Sequence, residues 1–221
     1  MTAHLWLILF IVFSILHLIS SWADDRAKRR ITKPFLLLFL LLYYVFSAEN
    51  PSVFLILALF FSWLGDVLLM PKGHHWFAYG GIAFICSHVF FMDVYLRRIA
   101  FADIPWILIT AAALLYSSIS LKIIRMVKDT APRIMVLPMY VYLLCNSVMN
   151  LFALMQLCSL RSLGALTAFC GAVLFFVSDC TLFLVRYYRR PDIIARKHFT
   201  VMLAYLLGEF LIVAGTLMLK G

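Results

Sequence analysis

The sequence predicts an all-α protein: a polytopic membrane bundle of eight transmembrane helices with both termini on the non-cytoplasmic side. Three observations predict it. Of 221 residues, 65% are apolar and 13% charged, whereas a soluble domain carries about a quarter charged residues and under half apolar. The apolar residues form eight runs separated by short polar breaks, and most runs approach the ~20 residues that cross a hydrocarbon core. Finally, 15 of the 19 lysines and arginines fall in the breaks after runs 1, 3, 5 and 7, which the positive-inside rule assigns to the cytoplasm. An even number of crossings then returns both ends to the opposite side.

Helix 1 is expected over about 5–23. It opens on Met1-Thr2-Ala3-His4 with no basic residues and has no small-x-small cleavage pattern before Asp24, so it reads as a retained helix, not a signal peptide. The break 24–33 is strongly basic. Helix 2 is expected over about 34–48, opening on Pro34, because proline is tolerated in a first helical turn. Asn50-Pro51 turns the chain. Helix 3 covers about 51–70 and stops at Met70-Pro71, where proline cannot continue the hydrogen-bond ladder. Helix 4 is expected over about 76–96, helix 5 over 104–124 and helix 6 over 134–156, with a kink at Pro138. Helix 7 covers about 162–186 and helix 8 about 197–219. No linker divides the chain and no repeat is visible, so residues 1–221 read as one domain.

The net charge of +9 does not point to nucleic acid, because the basic residues lie in short loops as bilayer topology requires. The five cysteines lie in or beside apolar runs without a C-x-x-C pair, as small buried helix residues do. His74 and His75 are adjacent and so do not share a helix face. With no H-E-x-x-H pattern either, neither a metal nor another cofactor is implied. No obligatory protein partner is implied.

The informative residues are the polar ones inside apolar runs, where an ionisable side chain costs several kcal/mol unless paired, hydrated or neutral. Asp66 lies six residues before Lys72, roughly 9 Å along a helix, and Asp179 seven before Arg186, roughly 10 Å. Both helices run toward the cytoplasm, so the two carboxylates are expected at one depth in its half of the bilayer. They read as a catalytic or proton-handling pair, with structural bonds between helices as the bland alternative. His88, Asn146 and Glu209 form a deeper layer, roughly 16–20 Å from the inner surface. Tyr142, Asn146 and Asn150 share one face of helix 6, Ser62 and Asp66 one face of helix 3, and Tyr205 and Glu209 one face of helix 8. Each of these is also a candidate for plain interhelical bracing. Lys33, Lys72, His74, His75, Lys197 and His198 form a rim at the cytoplasmic helix ends, able to hold an anionic head group or simply to anchor the helices. The adjacent Gly80 and Gly81 read as close helix packing.

Collected in order, these motifs resemble the YhhN-like lysoplasmalogenase family of integral membrane proteins. The parallels are Lys33-Pro34; Ser62-x-x-Gly65-Asp66 followed by Leu68-Leu69-Met70-Pro71; Gly80 and Phe84 leading to Ser87-His88; Ser178-Asp179; and Tyr205-x-x-Gly208 to Leu211-Ile212. Glu209 departs from the neutral or weakly basic residue expected there. The resemblance implies hydrolysis of the vinyl ether bond of a lysophospholipid in the membrane, lysoplasmenylethanolamine or lysoplasmenylcholine. The products are a fatty aldehyde and a glycerophospho-base. It assigns catalysis to Asp66 and Asp179. Asp66 is read as base and Asp179 as acid, with His88 orienting water or the hemiacetal oxygen. Lys33 is read as holding the phosphate, and Ser62, Asn146, Ser178, Tyr205 and Glu209 as lining the substrate. A proton-coupled transporter using the same carboxylates is the alternative. Intramembrane aspartyl proteolysis is disfavoured, because Trp63-Leu64-Gly65-Asp66 lacks the first glycine of the G-x-G-D pattern. The compact loops point to a bacterial inner membrane.

Overall fold

The structure, a computed structural model, describes residues 2–71, 73–190 and 194–219. Among them are eight α-helices, one short 3-10 turn and no strand. Seven of the helices are long and apolar enough to cross a membrane. The helices are α1 (Thr2–Trp22), α2 (Arg26–Ser47), α3 (Val53–Leu68), α4 (His74–Leu96), α5 (Trp106–Val127), α6 (Arg133–Leu160), α7 (Leu163–Tyr187) and α8 (Lys197–Met218). The chain groups into two compact units, Met1–Val94 and Tyr95–Gly221, described here in turn.

In the first unit, α1 and α2 form a hairpin through a tight turn in which Asp24 takes a positive φ of 53°. Aromatic rings knit the pair: Trp6 stacks on Phe39 at 6.0 Å between centroids and Phe13 meets Phe39 edge-on at 5.0 Å. Helix α2 begins earlier than the hydropathy suggests. Asp25 caps it by accepting the Lys28 backbone N–H at 3.1 Å, and the basic residues expected in a loop are its first turns. Pro34 therefore lies inside α2 rather than opening it. Its missing N–H costs one ladder bond, while its carbonyl accepts the Trp63 indole N–H at 2.8 Å. Two effects favour the longer helix. Arginine, lysine and alanine are good helix formers, and an Asp cap supplies the N-terminal acceptor that a start at Pro34 lacks.

Helix α3 is shorter than expected. It has 16 residues, about 24 Å of rise against a hydrocarbon core of about 30 Å. It ends at Leu68, with the Leu69 N–H bonded back to Gly65, before Pro71 is reached. Phe84 of α4 lies over Gly65, where a Cβ would come within 2.6 Å of its ring. Gly80 packs likewise against Leu69, but nothing lies within 4 Å of a Cβ on Gly81. The expected packing pair is thus a single glycine.

In the second unit, α5, α6 and α7 pack on one another and α8 packs on α7. A Cβ on Gly171 of α7 would lie 2.6 Å from the Gly208 carbonyl of α8, so the two backbones touch where side chains are absent, a close approach typical of membrane helix pairs. Pro138 lies inside α6, which continues unbroken through it. Toward the α6–α7 turn, Ile104, Ile109 and Leu154 form a small apolar core. Arg161, at φ 45°, ends α6, and Ser162 starts α7 by capping the Ala165 N–H. All five cysteines are free thiols.

Candidate active site

Each aspartate has its own setting, one in each unit. Asp66 lies in the last turn of α3. A carboxylate there faces the negative end of the helix dipole and is disfavoured. The basic turns of α2 answer it. Lys33 Nζ lies 3.0 Å from Asp66 Oδ1, with the side chains 17% and 3% exposed. One turn earlier on the same face, Arg30 donates to the Met70 carbonyl at 3.3 Å, satisfying an oxygen just past the helix end. Lys33, expected to hold the phosphate, is paired with Asp66.

Ser62, one turn before Asp66, exchanges a hydrogen bond of 2.7 Å with Ser87 of α4. Both are completely buried, as is the neighbouring His88. The first unit therefore gathers Lys33, Ser62 and Asp66 on the facing sides of α2 and α3, with Ser87 of α4 bonded to Ser62. Lys72, expected on the rim, lies outside the described residues. His74, His75 and His198 are exposed, and Lys197 is half-buried.

Asp179 lies two turns inside α7 and is 5% exposed. Its Oδ2 accepts the Tyr142 hydroxyl at 2.7 Å and the Asn146 amide N–H at 2.6 Å. Both donors come from successive turns of α6. Asn150, a further turn along, donates to Asn146 Oδ1 at 2.9 Å and to the Asn146 carbonyl at 3.1 Å. Tyr116 of α5 donates to Asn150 Oδ1 at 3.1 Å. Tyrosine rings fix the ends: Tyr142 sits edge-on to Phe183 and Tyr116 to Phe176.

Of the expected lining residues in this unit, Asn146 therefore contacts Asp179 directly. Ser178 instead donates to the Val201 carbonyl at 3.0 Å, bracing α7 on α8. Tyr205 packs edge-on against Phe175, and Glu209 is fully buried on α8. Tyr142 was visible from its spacing with Asn146 but not as a ligand of the carboxylate. Tyr116 was missed, its one signal being a phenol in the middle of an apolar run. Among the described residues, no three His, Cys, Asp or Glu side chains cluster so as to hold a metal ion.

Chemically, the two carboxylates differ in what faces them. The Lys33 ammonium lies beside Asp66, and Asp179 accepts from a phenol and an amide. A family model described as the YhhN family matches residues 28–216, spanning all the elements just described from the basic turns of α2 to α8. No curated protein and no solved structure matches the chain. The resemblance drawn from the short motifs is borne out by the family match.

Proposed function

The chain belongs to the YhhN family, and from that membership we propose that it is a membrane hydrolase of lysoplasmalogens, releasing a fatty aldehyde and a glycerophospho-base. The observation that carries this reading is the unlike setting of two buried carboxylates, Asp66 beside the Lys33 ammonium and Asp179 among the neutral donors Tyr142 and Asn146.

The reaction needs both kinds of group. A carboxylic acid gives its proton to the β-carbon of the vinyl ether, leaving an oxocarbenium ion. Water adds to the cationic carbon and gives up a proton to a carboxylate. The resulting hemiacetal breaks its bond to the glycerol oxygen, which takes the proton now held by the second carboxyl group, while the hemiacetal hydroxyl yields its proton to the first as the carbonyl forms. Both carboxyl groups end as they began, and the net change is addition of one water. In this reading Asp179, which accepts from Tyr142 and Asn146, is the acid. Asp66 is the base, since an adjacent ammonium favours its ionised form. A fixed negative charge also stabilises the cationic intermediate.

The test is aldehyde release by purified protein supplied with lysoplasmenylethanolamine or lysoplasmenylcholine in detergent. Turnover is expected in wild type and at least 100-fold less, the span typical of a lost acid–base group, in folded Asp66→Asn and Asp179→Asn. Folded wild-type protein that releases no aldehyde from either substrate would remove the assignment and leave proton-coupled transport to be tested on the same variants.

A further inference from the structure

Several basic residues of α2 are already engaged. Lys28 pairs with Asp25 at 3.2 Å, Arg29 with Asp24 at 2.6 Å and Lys33 with Asp66 at 3.0 Å, and Arg30 donates to a backbone carbonyl. Lys122 and Arg125, in the last two turns of α5, differ: neither has a carboxylate partner among the described residues. Together with Ser118, Leu121 and Met126 they line an open groove of about 540 Å³. We propose that this groove is a lipid site, in which Lys122 and Arg125 hold the phosphate of an anionic phospholipid of the surrounding leaflet. The proposal does not depend on the hydrolase reading.

Residue spacing makes the groove. Ser118, Lys122 and Arg125 stand at i, i+4 and i+7, so they share one face of α5. The buried residues of the helix, Ile109, Tyr116, Ile123, Ile124 and Val127, fall on the opposite face by the same period. That buried face packs on α6 and α7, which leaves the groove on the outside of the second unit. Ser118, Leu121, Lys122 and Arg125 are accordingly exposed. The Ser118 hydroxyl donates back to the Leu114 carbonyl at 2.7 Å, leaving the two cations as the donors of the groove.

Charge selects the head group. No carboxylate lines the groove, and Asp129 lies beyond the end of α5 and outside the lining. A zwitterionic head group would bring its ammonium toward two like charges, whereas an anionic one is attracted by both. The guanidinium can present two parallel N–H groups to a phosphate, and the ammonium adds a point charge. The volume is within the ~300–1,000 Å³ of small-molecule sites.

Apolar surface beside the cations favours a lipid over free phosphate. Leu121 in the groove is exposed, as are Leu114 and Leu115, roughly 10–16 Å back along the helix from the cations. A phosphate held at Lys122 and Arg125 would lay its acyl chains along these leucines. The charge asymmetry of the loops assigns this end of α5 to the cytoplasmic side, where anionic lipids attract basic residues.

The experiment titrates full-length protein in detergent with phosphatidylglycerol, phosphatidylcholine or the chain-free head group glycerophosphoglycerol, and counts bound molecules by mass spectrometry of the intact complex. Wild type is expected to hold one phosphatidylglycerol about tenfold more tightly than phosphatidylcholine. That preference is expected to vanish in the double variant Lys122→Gln, Arg125→Gln, and to persist in Lys128→Gln, Arg133→Gln, which removes the same charge outside the groove. Equal loss in the two double variants would show general attraction to basic loops and overturn the site. So would a wild type with no preference between the two lipids. Glycerophosphoglycerol bound as tightly as phosphatidylglycerol would overturn the lipid as occupant. If the first double variant fails to fold, the single variants Lys122→Gln and Arg125→Gln decide, each expected to lose about threefold, with wild-type affinity in both overturning the proposal.

Discussion

Lys33 Nζ and Asp66 Oδ1 lie 3.0 Å apart, joining α2 to the last turn of α3. Both side chains are largely withdrawn from solvent, 17% and 3% exposed. Breaking a buried pair by removing one partner costs about 3–5 kcal/mol, because a charge is left uncompensated. Lys33→Met is expected to lose stability of that order in detergent unfolding. Lys33→Met combined with Asp66→Asn is expected to regain most of it. A double variant whose loss equals the sum of the two singles would show the groups to be uncoupled.

The α7–α8 contact predicts a contrast between glycines. A methyl on Gly171 would meet the Gly208 carbonyl at 2.6 Å and the Ile212 N–H at 2.7 Å. Both are backbone, so the helices themselves must move apart. Gly171→Ala is expected to cost about 1–3 kcal/mol, the range for overpacking. Gly81→Ala, with nothing within 4 Å, is expected to be neutral or stabilising by up to about 1 kcal/mol through helix propensity. Thermal unfolding of the two variants side by side checks the order.

Ser62 separates bracing from substrate contact. Its hydroxyl is engaged with Ser87 at 2.7 Å, so Ser62→Ala is expected to cost about 1 kcal/mol of stability and leave KM for the lysophospholipid unchanged. A raised KM with unaltered stability would place the hydroxyl on the substrate instead.

Asp25, just ahead of α2, sets a pH dependence at the membrane edge. The Lys28 backbone N–H that it accepts holds its carboxyl below the ordinary value, helped by the Lys28 ammonium. A depressed folded value means that its contribution to stability is complete above the unfolded value of about 3.9. That contribution is lost as pH falls through the folded value. Between pH 6 and pH 2.5, Asp25→Ala is accordingly expected to lose less melting temperature than wild type. Identical losses would show that the cap does not report on folding.

The charge asymmetry between alternate loops predicts both termini on the non-cytoplasmic side if all eight helices cross. Reporters active on one side of the membrane only, fused at either end, are expected to agree. Opposite signals would mean that an odd number of helices cross, with the 16-residue α3 the helix to test first.

Much of this was legible in the sequence. Apolar run length and the placement of lysine and arginine determined most of the helices, because a bilayer enforces both: backbone groups in lipid must bond within a helix, and lysine and arginine are kept to the loops and helix ends. The same cost singled out Asp66, His88, Asn146, Asp179 and Glu209, all of which are buried. Hydropathy misplaced the start of α2, because a basic helical stretch looks like a loop to a scale that counts only apolarity. The Asp25 cap, a local signal of another kind, marked the true start.

What the tertiary structure alone decided is the partner of each polar group. Lys33 belongs to Asp66 because α2 extends backward past Pro34 and carries its basic face to the end of α3. Tyr116 belongs to the Asp179 chain because α5 packs on α6 at the level of Asn150. Spacing along one helix determines which side chains share a face, and so Tyr142, Asn146 and Asn150 could be grouped in advance. Which side chain on another helix meets that face depends on the rotation and axial shift of the two helices. Those are set by the summed packing of many apolar residues, and no single motif encodes them.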